Sequence, residues 1–242
     1  MDRYIDMHCH ILPGVDDGAQ DLEETRQMLR IAYNEGIRLI IATPHHHPRR
    51  GHRSPEILHE QLKLARAEAA KISDKFRIYL GTEIFYGYDI PDKVRSGKIL
   101  QINKRRVVLV EFSPTDKFDY ILHGVQQMQM TGNQVIIAHV ERYDCLLENM
   151  ERVEELYDMG AKFQVNAGSI IGESGRNCKK FVKKLMGQDF VFGVGTDAHD
   201  STMRAPKMKK AADYVKRKYG EEYMRHIFFD NAATLLRKVI DS

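Results

Sequence analysis

Two histidines separated by one residue, His8 and His10, lie near the start of the chain after a short apolar run. Side chains of a β-strand alternate between its two faces, so Asp6, His8 and His10 are expected to share one face. Cys9 is then expected to point to the opposite face. Two imidazoles on one face can chelate a metal ion, but a His-x-His pair also occurs by chance or in a packed core. The pair therefore gains meaning only from further candidate ligands.

Histidines and carboxylates recur where other predicted strands end. In chain order these endings read ATPH, GTE, VE, AH and GTDAH, and they contribute six candidate ligands: His45, Glu83, Glu111, His139, Asp197 and His199. Enzymes built on parallel barrels carry their catalytic residues at the carboxyl ends of the strands. Taken singly, these residues could be surface carboxylates, core histidines or helix caps. Their shared placement predicts a metal site instead.

Asp16 and Asp17 precede Gly18 shortly after the first strand. Two acidic residues before a glycine can form a simple turn, but beside the other candidates Asp17 is predicted to bind metal. Asp6 is expected to hydrogen-bond a ligating imidazole instead of binding an ion. Nitrogen and oxygen ligands without thiolate favour Mn, with Fe, Zn or Mg as alternatives, and several carboxylates favour two or more ions. The polar loop from His45 to Ser54 lies beside these residues and is a candidate lid.

The elements that must position these residues alternate between strands and helices. Apolar runs predict seven strands, at Tyr4–Met7, Arg38–Thr43, Phe76–Leu80, Val107–Glu111, Gln134–Ala138, Lys162–Asn166 and Phe190–Val194. Helical periodicity predicts helices at Asp21–Glu35, Pro55–Ile72, Phe118–Thr131, Asn149–Met159, Gly175–Met186 and Pro206–Tyr219. A last helix would carry Ala232, Leu235, Leu236, Val239 and Ile240 on one packed face. About seven βα units predict an α/β fold, a closed or nearly closed parallel barrel, and one domain spanning residues 1–242.

Composition and charge exclude several classes of protein. The chain has 37 basic and 34 acidic residues, which are interspersed, so its charge gives no argument for a nucleic-acid partner. The N-terminal segment lacks the basic end and apolar run of a signal peptide, and no apolar run is long enough to insert into a membrane. Three widely spaced cysteines suit neither a disulfide framework nor a structural zinc site. A cytoplasmic protein is therefore expected.

Six segments of the chain resemble, as a set, the PHP (polymerase and histidinol phosphatase) superfamily: YIDMHCHILPGVDDG, IIATPHH, GTEIFY, VEFS, IAHVERY and GTDAH. They are most similar to its bacterial branch of manganese-dependent tyrosine-protein phosphatases linked to capsule and exopolysaccharide synthesis. The resemblance runs from Ile5 to about Asn231, and the motifs occur in the family's order. It implies a distorted (β/α)7 TIM-like barrel, the PHP fold, that holds three metal ions at the carboxyl ends of its strands.

The resemblance also implies which residues bind each ion. His8, His10, Glu83 and Asp197 would hold the first ion, Glu83, Glu111 and His139 the second, and Asp17, His45 and His199 the third. By motif, Arg142 and Arg204 match arginines that the family places beside the metals. Independently, two guanidinium groups near a metal cluster suit a phosphate, because each can bind two phosphate oxygens.

The expected reaction is attack on phosphorus by a hydroxide held between metal ions, with the arginines neutralising charge. A cysteine-based phosphatase is excluded, because no cysteine is followed by an arginine six positions later. A phenol has a pKa of about 10, so phosphotyrosine offers a better leaving group than an alkyl phosphate. The expected substrate is a phosphotyrosine protein, which the resemblance suggests is a bacterial tyrosine kinase of capsule or exopolysaccharide synthesis.

Three other functions fit parts of the sequence. A small-molecule phosphatase such as histidinol phosphatase would share the metal ligands. Amidohydrolases also begin with His-x-His, but their usual pattern lacks the paired Glu83 and Glu111 and the Asp-Asp-Gly element. A non-catalytic metal-binding scaffold module is disfavoured because every position that corresponds to a metal ligand of the family carries a residue able to bind metal. The sequence leaves open the oligomeric state, the metal loaded in the cell and the target phosphoprotein.

Overall fold

A computed structural model describes residues 3–236 of the chain. Its strands are β1 (Tyr4–Cys9), β2 (Ile37–Ala42), β3 (His45–His46), β4 (Arg77–Leu80), β5 (Glu83–Phe85), β6 (Val107–Glu111), β7 (Gln134–Ile137), β8 (Lys162–Asn166) and β9 (Val191–Gly195). Its α-helices are α1 (Leu22–Asn34), α2 (Pro55–Ile72), α3 (Ile90–Arg95), α4 (Phe118–Gln129), α5 (Asp144–Leu147), α6 (Met150–Asp158), α7 (Ala167–Ile171), α8 (Arg176–Gly187), α9 (Lys209–Tyr219), α10 (Glu221–Arg225) and α11 (Asn231–Thr234). Single 3-10 turns lie at Ile102–Lys104 and Val140–Arg142, and a π-helical segment, His226–Asp230, joins α10 to α11.

The strands in the described part of the chain pair in parallel and form two sheets, one of β1, β2 and β4 and the other of β3, β5, β6, β7, β8 and β9. β2 pairs with β4, and β3 pairs with β5, so β3 continues the line of β2 and β5 continues that of β4. Pro44, which has no N–H to donate to a ladder, lies at the break between β2 and β3. The nine strands therefore occupy the seven positions that the sequence predicts.

β1 and β9 meet through the segment that follows β9. The backbone N–H of His10 donates to the carbonyl of Ala198 at 2.9 Å, and that of Asp197 donates to the carbonyl of His8 at 2.8 Å. An isolated parallel bridge joins Cys9 to Ala198 at the same place. The strands therefore do not form one continuous hydrogen-bonded sheet. They form two sheets, which meet at this contact between β1 and the segment after β9. The predicted α/β fold of the distorted barrel type is confirmed.

Helix α1 shows how local sequence fixes the outer layer. The Asp21 side chain caps it by accepting the N–H of Glu24 at 2.9 Å. One stripe of the helix is buried, as its 3.6-residue periodicity predicts: Thr25, Met28, Leu29 and Ala32. Gly36 follows the helix with a φ of +91°, a conformation that glycine adopts without strain. The chain can therefore turn directly into β2.

Two groups of buried apolar residues hold these layers together. The larger packs the helices against the outer faces of the strands and includes Met28, Leu62 and Phe181. The smaller joins residues in or next to several strands, and one residue of a 3-10 turn, to α11 and the residue after it: Ile5, Met7, Ile41, Ile102, Val107, Leu109, Ile136, Ala138, Ala232 and Leu235. Burial of apolar surface is the main stabilising term for such a fold. The smaller group lies beneath the strand ends that carry the candidate ligands.

Some elements differ from the sequence-based prediction. His45 and His46 were expected to begin a loop, but they form β3, because their backbone pairs with Glu83 and Ile84 of β5. Strands of two or three residues and helices of four to six carry too little periodicity to be recognised. Of the predicted last helix, Ala232 and Leu235 are buried, while Val239 and Ile240 lie outside the described residues. Among residues 3–236, no helix has both the length and the apolar character that a membrane span requires.

Candidate metal centre

The nine predicted ligands converge at the carboxyl ends of the strands. Eight of them are buried, with exposures of 0 to 5%: His8, His10, His45, Glu83, Glu111, His139, Asp197 and His199. The ninth, Asp17, follows β1 on a turn, and its side chain is 46% exposed. The cluster is therefore open to solvent mainly on the side of Asp17.

A β-bulge in β1 directs two of these histidines. Asp6 pairs with Ile40 of β2, but the next paired residue, Cys9, matches Ala42, so β1 has one extra residue. Such an insertion interrupts the alternation of side chains. The prediction that Asp6 hydrogen-bonds a ligating imidazole is therefore wrong. Its carboxylate instead accepts the backbone N–H groups of His8 and Thr196 and the Thr196 hydroxyl, which ties β1 to the end of β9.

The first group of possible ligand atoms consists of four residues, His8, His10, Glu83 and Asp197, whose atoms lie within 4.8 Å of one another. The Nε2 atoms of His8 and His10 each lie 3.2 Å from Glu83 Oε2. They lie 3.6 and 3.5 Å from Asp197 Oδ1. Two imidazoles and two carboxylates at these distances can surround one ion of the Mn, Fe or Zn class. The group matches the set expected for the first ion.

A second group brings together His45, Glu83 and Glu111. Nδ1 of His45 is 2.9 Å from Glu83 Oε2 and 3.6 Å from Glu111 Oε1. His139, which the family resemblance assigns to this ion, contacts the same two carboxylates through Nε2, at 2.8 Å from Glu83 and 3.5 Å from Glu111. Both histidines thus face the pair of glutamates, and Glu83 belongs to two groups.

A third group contains His10, Asp17, His45 and His199. Oδ1 of Asp17 lies 3.3 Å from His45 Nε2 and 3.5 Å from His199 Nε2. The ring of His10 lies 3.9 Å from that of His199 and 4.3 Å from that of His45, measured between centroids. The expected set for the third ion, Asp17, His45 and His199, is thus brought together, and His10 is added to it. The three groups overlap at His10, His45 and Glu83.

Two of the candidate ligands have a left-handed backbone. His139 has a φ of +32° and Asp197 a φ of +52°, which residues with a Cβ seldom adopt. Each is held there from elsewhere in the fold: the N–H of His139 donates to Gln164 Oε1 at 2.8 Å, and that of Asp197 donates to the carbonyl of His8. Such conformations cost of order 1 to 3 kcal/mol and are concentrated at functional sites. Here they turn both side chains towards the cluster.

Hydrogen bonds to the Nδ1 atoms of two candidate ligands fix the orientation of their imidazole rings. Oε1 of Gln164 lies 3.0 Å from His8 Nδ1, and Oδ2 of Asp16 lies 2.8 Å from His10 Nδ1. Asp16 also accepts the N–H of His45 at 2.9 Å. Occupied Nδ1 atoms leave both Nε2 atoms facing the cluster, which is how metal-binding histidines are usually oriented.

These supporting roles are not predicted from the sequence. There, Asp16 is predicted only as part of a possible turn. Gln164 and its partner Asn166, whose Oδ1 accepts from Gln164 Nε2 at 2.8 Å, lie at alternate positions of β8. Two amides within an otherwise apolar strand were the available signal, since buried polar groups are normally hydrogen-bonded.

The charges of the cluster stabilise one another. Burial alone would raise the pKa of Glu83, but the charge of His8 and hydrogen bonds from His10, His139 and His45 hold that pKa well below its usual range. Burial and Arg142 would lower the pKa of His139, but its hydrogen bonds to Glu111 and Glu83 raise the pKa to about 9. Without ions, a protonated His139 would therefore balance part of the carboxylate charge. Metal binding must displace that proton, so it should weaken as the pH falls.

Several buried polar atoms of the cluster make no hydrogen bond. In the described part of the chain they include both ring nitrogens of His45, Nε2 of His199, Oε2 of Glu83 and Oε1 of Glu111. Buried polar atoms left without a partner cost free energy. They lie close together without the geometry of hydrogen bonds, as expected of atoms aimed at common ions. The residues present therefore fit a cluster of divalent metal ions.

Two arginines stand beside this cluster, as predicted. Nη2 of Arg142 lies 2.6 Å and Nη2 of Arg204 2.9 Å from the same atom, Asp197 Oδ2. Their side chains are 35% and 43% exposed, so both retain donors that can reach an incoming anion. The cysteines offer no competing nucleophile, because burial raises the pKa of each thiol: Cys9, Cys145 and Cys178.

Comparisons with known proteins give a consistent result. The family described as capsular polysaccharide synthesis, CpsB/CapC, matches residues 4–237. The chain is 34% identical over 241 residues to the tyrosine-protein phosphatase CpsB of Streptococcus pneumoniae, and the match covers 98% of each chain. It is 31% identical over 237 residues to the tyrosine-protein phosphatase YwqE of Bacillus subtilis (strain 168), covering 96% of this chain and 91% of the relative.

A solved structure extends the similarity to the fold. It comes from work on YwqE of Bacillus subtilis and CpsB of Streptococcus pneumoniae, which are described as unique metal-dependent tyrosine phosphatases. The TM-score is 0.89 at 29% identity, with 98% of this chain and 96% of the solved chain covered. The similarity thus spans nearly all of both molecules.

Proposed function

We propose that this chain, which belongs to the CpsB/CapC family of capsular polysaccharide synthesis, is a metal-dependent protein-tyrosine phosphatase, a phosphoric monoester hydrolase that does not use cysteine. One observation carries the proposal. Three overlapping groups of imidazole and carboxylate atoms, buried and partly without hydrogen bonds, lie beside two arginines. The names of similar proteins support the same reaction.

The metal ligands of this enzyme are proposed from the three groups. His8, His10, Glu83 and Asp197 would hold one ion, Glu83, Glu111 and His139 a second, and Asp17, His45 and His199 a third, so that each imidazole binds a single ion. Bound ions would supply a hydroxide at neutral pH and would neutralise charge on the phosphoryl group. Ligands of this type suit Mn²⁺, which we propose as the native metal, with Fe, Zn or Mg as alternatives.

The arginines are proposed to bind the phosphoryl oxygens. Arg142 and Arg204 both contact Asp197, which holds their guanidinium groups at the edge of the candidate metal cluster. A planar guanidinium offers paired donors to two oxygens, and it stays charged at any physiological pH. Donors already aimed at the developing charge lower the barrier without having to reorganise.

Phosphotyrosine is the proposed substrate because its leaving group is a phenol. With a pKa of about 10 the phenol departs with less need for a general acid than an alkyl alcohol. We propose further that the phosphoprotein is a bacterial tyrosine kinase of capsule or exopolysaccharide synthesis and that the enzyme acts in the cytoplasm. Membership of a capsule-synthesis family supports the first statement.

A comparison of three substrates tests the proposal. Purified protein would be given a phosphotyrosine peptide, a phosphoserine peptide and histidinol phosphate, each with Mn²⁺ and with a chelator. We expect Mn²⁺-dependent release of phosphate that is fastest from phosphotyrosine. A preference for histidinol phosphate would overturn the substrate but not the candidate centre.

Two variants separate catalysis from a scaffold role. His139→Ala should abolish most Mn²⁺-dependent activity because His139 contacts both Glu83 and Glu111. His123→Ala, on the outer helix α4, should leave the activity unchanged. Equal activity of the two variants would show that the proposed cluster does not perform the reaction.

A further inference from the structure

A pair of aromatic rings lies next to the candidate metal centre, on the same strand lines that carry two of its ligands. His45 begins β3 and Glu83 begins β5, and these two residues are paired. His47 lies two positions after His45, and Phe85 lies two positions after Glu83. The centroids of their rings are 4.4 Å apart, and the ring planes are inclined at 61°. Side chains two positions apart share a face of a strand. The rings therefore form the next layer outward from His45 and Glu83.

The pairing of β5 with β6 places Phe85 directly beside one of the candidate ligands. Phe85 of β5 is paired with Glu111 of β6, and paired residues of parallel strands direct their side chains to the same side. His47 is close to the centre as well, since its ring lies 6.0 Å from that of His45. The Phe85 ring is partly exposed. An aromatic wall thus borders the centre on the side of β3 and β5.

A cavity of about 450 Å³ continues outward from this wall. His47 and Phe85 line it together with Pro48, Tyr86 and Ile90, which make much of its surface apolar. Polar and charged residues complete the lining: His46, His52, Asp89, Lys93 and Lys98. Its volume lies in the range of pockets that bind small organic groups. The arginines stand on another side, since Arg142 follows β7, Arg204 follows β9, and both contact Asp197.

We propose that His47 and Phe85 form the subsite for the aromatic ring of the substrate, which makes the enzyme prefer aryl over alkyl phosphates. This rests on the proposed function. A phosphoryl group held between the candidate ions and the arginines leaves its ester oxygen free to point towards β3 and β5. The attached phenyl ring would then contact Phe85, and aromatic rings attract one another in edge-to-face or offset arrangements.

The His47 side chain also stabilises the loop that follows it, and this limits which residue can be replaced in a test. Its Nδ1 accepts the backbone N–H groups of Arg49 and Arg50 at 3.0 and 3.2 Å, and its backbone pairs with Gly51. Replacing His47 would therefore also disturb the following loop. Phe85 makes no such side-chain hydrogen bond, so it is the residue to replace.

The test compares two phosphonates that cannot be hydrolysed. Phenylphosphonate and methylphosphonate would be titrated into the Mn²⁺-loaded protein by calorimetry, with metal content measured for every variant. We expect the wild-type protein to bind phenylphosphonate about tenfold more tightly, and Phe85→Ala to lose most of that preference while methylphosphonate binds as before. Tyr88→Ala removes a ring that is 75% exposed on the same segment and serves as the matched control.

Several results would overturn the proposal. These are a wild-type protein without preference for the phenyl compound, an unchanged preference in Phe85→Ala, or an equal loss of affinity for both phosphonates. If Phe85→Ala does not fold, Phe85→Leu decides the matter, because it keeps apolar bulk but lacks a ring. A protein that prefers phenylphosphonate yet does not hydrolyse phosphotyrosine would refute the proposed function and leave this subsite standing.

Discussion

At the scale of single residues, the hydrogen bonds behind the imidazoles decide which nitrogen faces the candidate ions. His8 and His10 both use Nδ1 for a partner outside the cluster, Gln164 for the first and Asp16 for the second. In neutral histidine one nitrogen carries the proton and the other has the lone pair that binds a metal. The partners therefore select the tautomer in which Nε2 is free to bind.

Gln164 is the most informative of these partners to replace. Its Oε1 serves both His8 Nδ1 and the N–H of His139, and its Nε2 donates to Asn166 Oδ1, so Gln164→Leu would leave three buried groups without this partner. We expect the affinity for Mn²⁺ to fall about 10- to 100-fold, the usual cost of losing such a partner. Titration calorimetry would measure it. Gln188→Leu, at an exposed position after α8, should bind Mn²⁺ like the wild type, and equal affinities for both variants would contradict the assigned role.

At the scale of elements, the close approach of β9 to β1 determines where the histidines lie. Glycines in β9 permit it, since a Cβ at Gly195 would lie 2.5 Å from His8 Cβ and 3.0 Å from Gln164 Nε2. At Gly193 a Cβ would lie 2.3 Å from the sulphur of Met7. Real Cβ atoms do not come this close to their neighbours. The position of the His8 side chain thus depends on the absence of one on Gly195.

Gly195→Ala should accordingly damage both stability and metal binding. Either β9 or β1 must move, and overpacking of this kind typically costs about 1 to 3 kcal/mol. Urea unfolding of the metal-free protein would give the change in stability, and Mn²⁺ titration the change in affinity. Gly187→Ala, at the end of α8 with no atom within 4 Å of the added Cβ, should be neutral or slightly stabilising. Similar behaviour of the two variants would mean that β1 and β9 can separate at little cost.

At the scale of the whole molecule, the candidate ions would connect distant parts of the chain. Their proposed ligands run from His8 to His199 and come from β1, β3, β5, β6 and the segments after β1, β7 and β9. Bound ions stabilise the folded state only, because the unfolded chain has no such arrangement of ligands. The cluster would therefore hold the two sheets in register with each other.

Removing the metal should consequently lower the melting temperature. Ions present at about a thousand times their Kd add roughly 4 kcal/mol, which corresponds to about 10 °C for a protein of this size. Thermal unfolding with and without a chelator would measure the shift, and added Mn²⁺ should restore it. We also propose that residues 1–242 unfold as one domain, in a single transition. An unchanged melting temperature would argue against bound ions, and two separate transitions against a single domain.

The sequence by itself determined the chemistry and the order of the main elements. Imidazoles and carboxylates at the ends of successive apolar runs predict the centre, because strand ends and helix stripes are local patterns that a short window contains. The predicted ligands and both arginines indeed lie together. Local patterns also place α1, α2 and β6 within a residue of their observed bounds.

Only the tertiary structure decided how these residues meet. The bulge in β1 turns Asp6 away from the imidazoles, and Gln164 and Asp16 take the place that Asp6 was expected to fill. β3 exists only because β5 lies beside it, which sets His47 against Phe85. Register and bulges depend on the partner strand, and the partners of a buried amide lie far away in sequence. Such features arise from contacts between distant segments, so no local window of the sequence contains them.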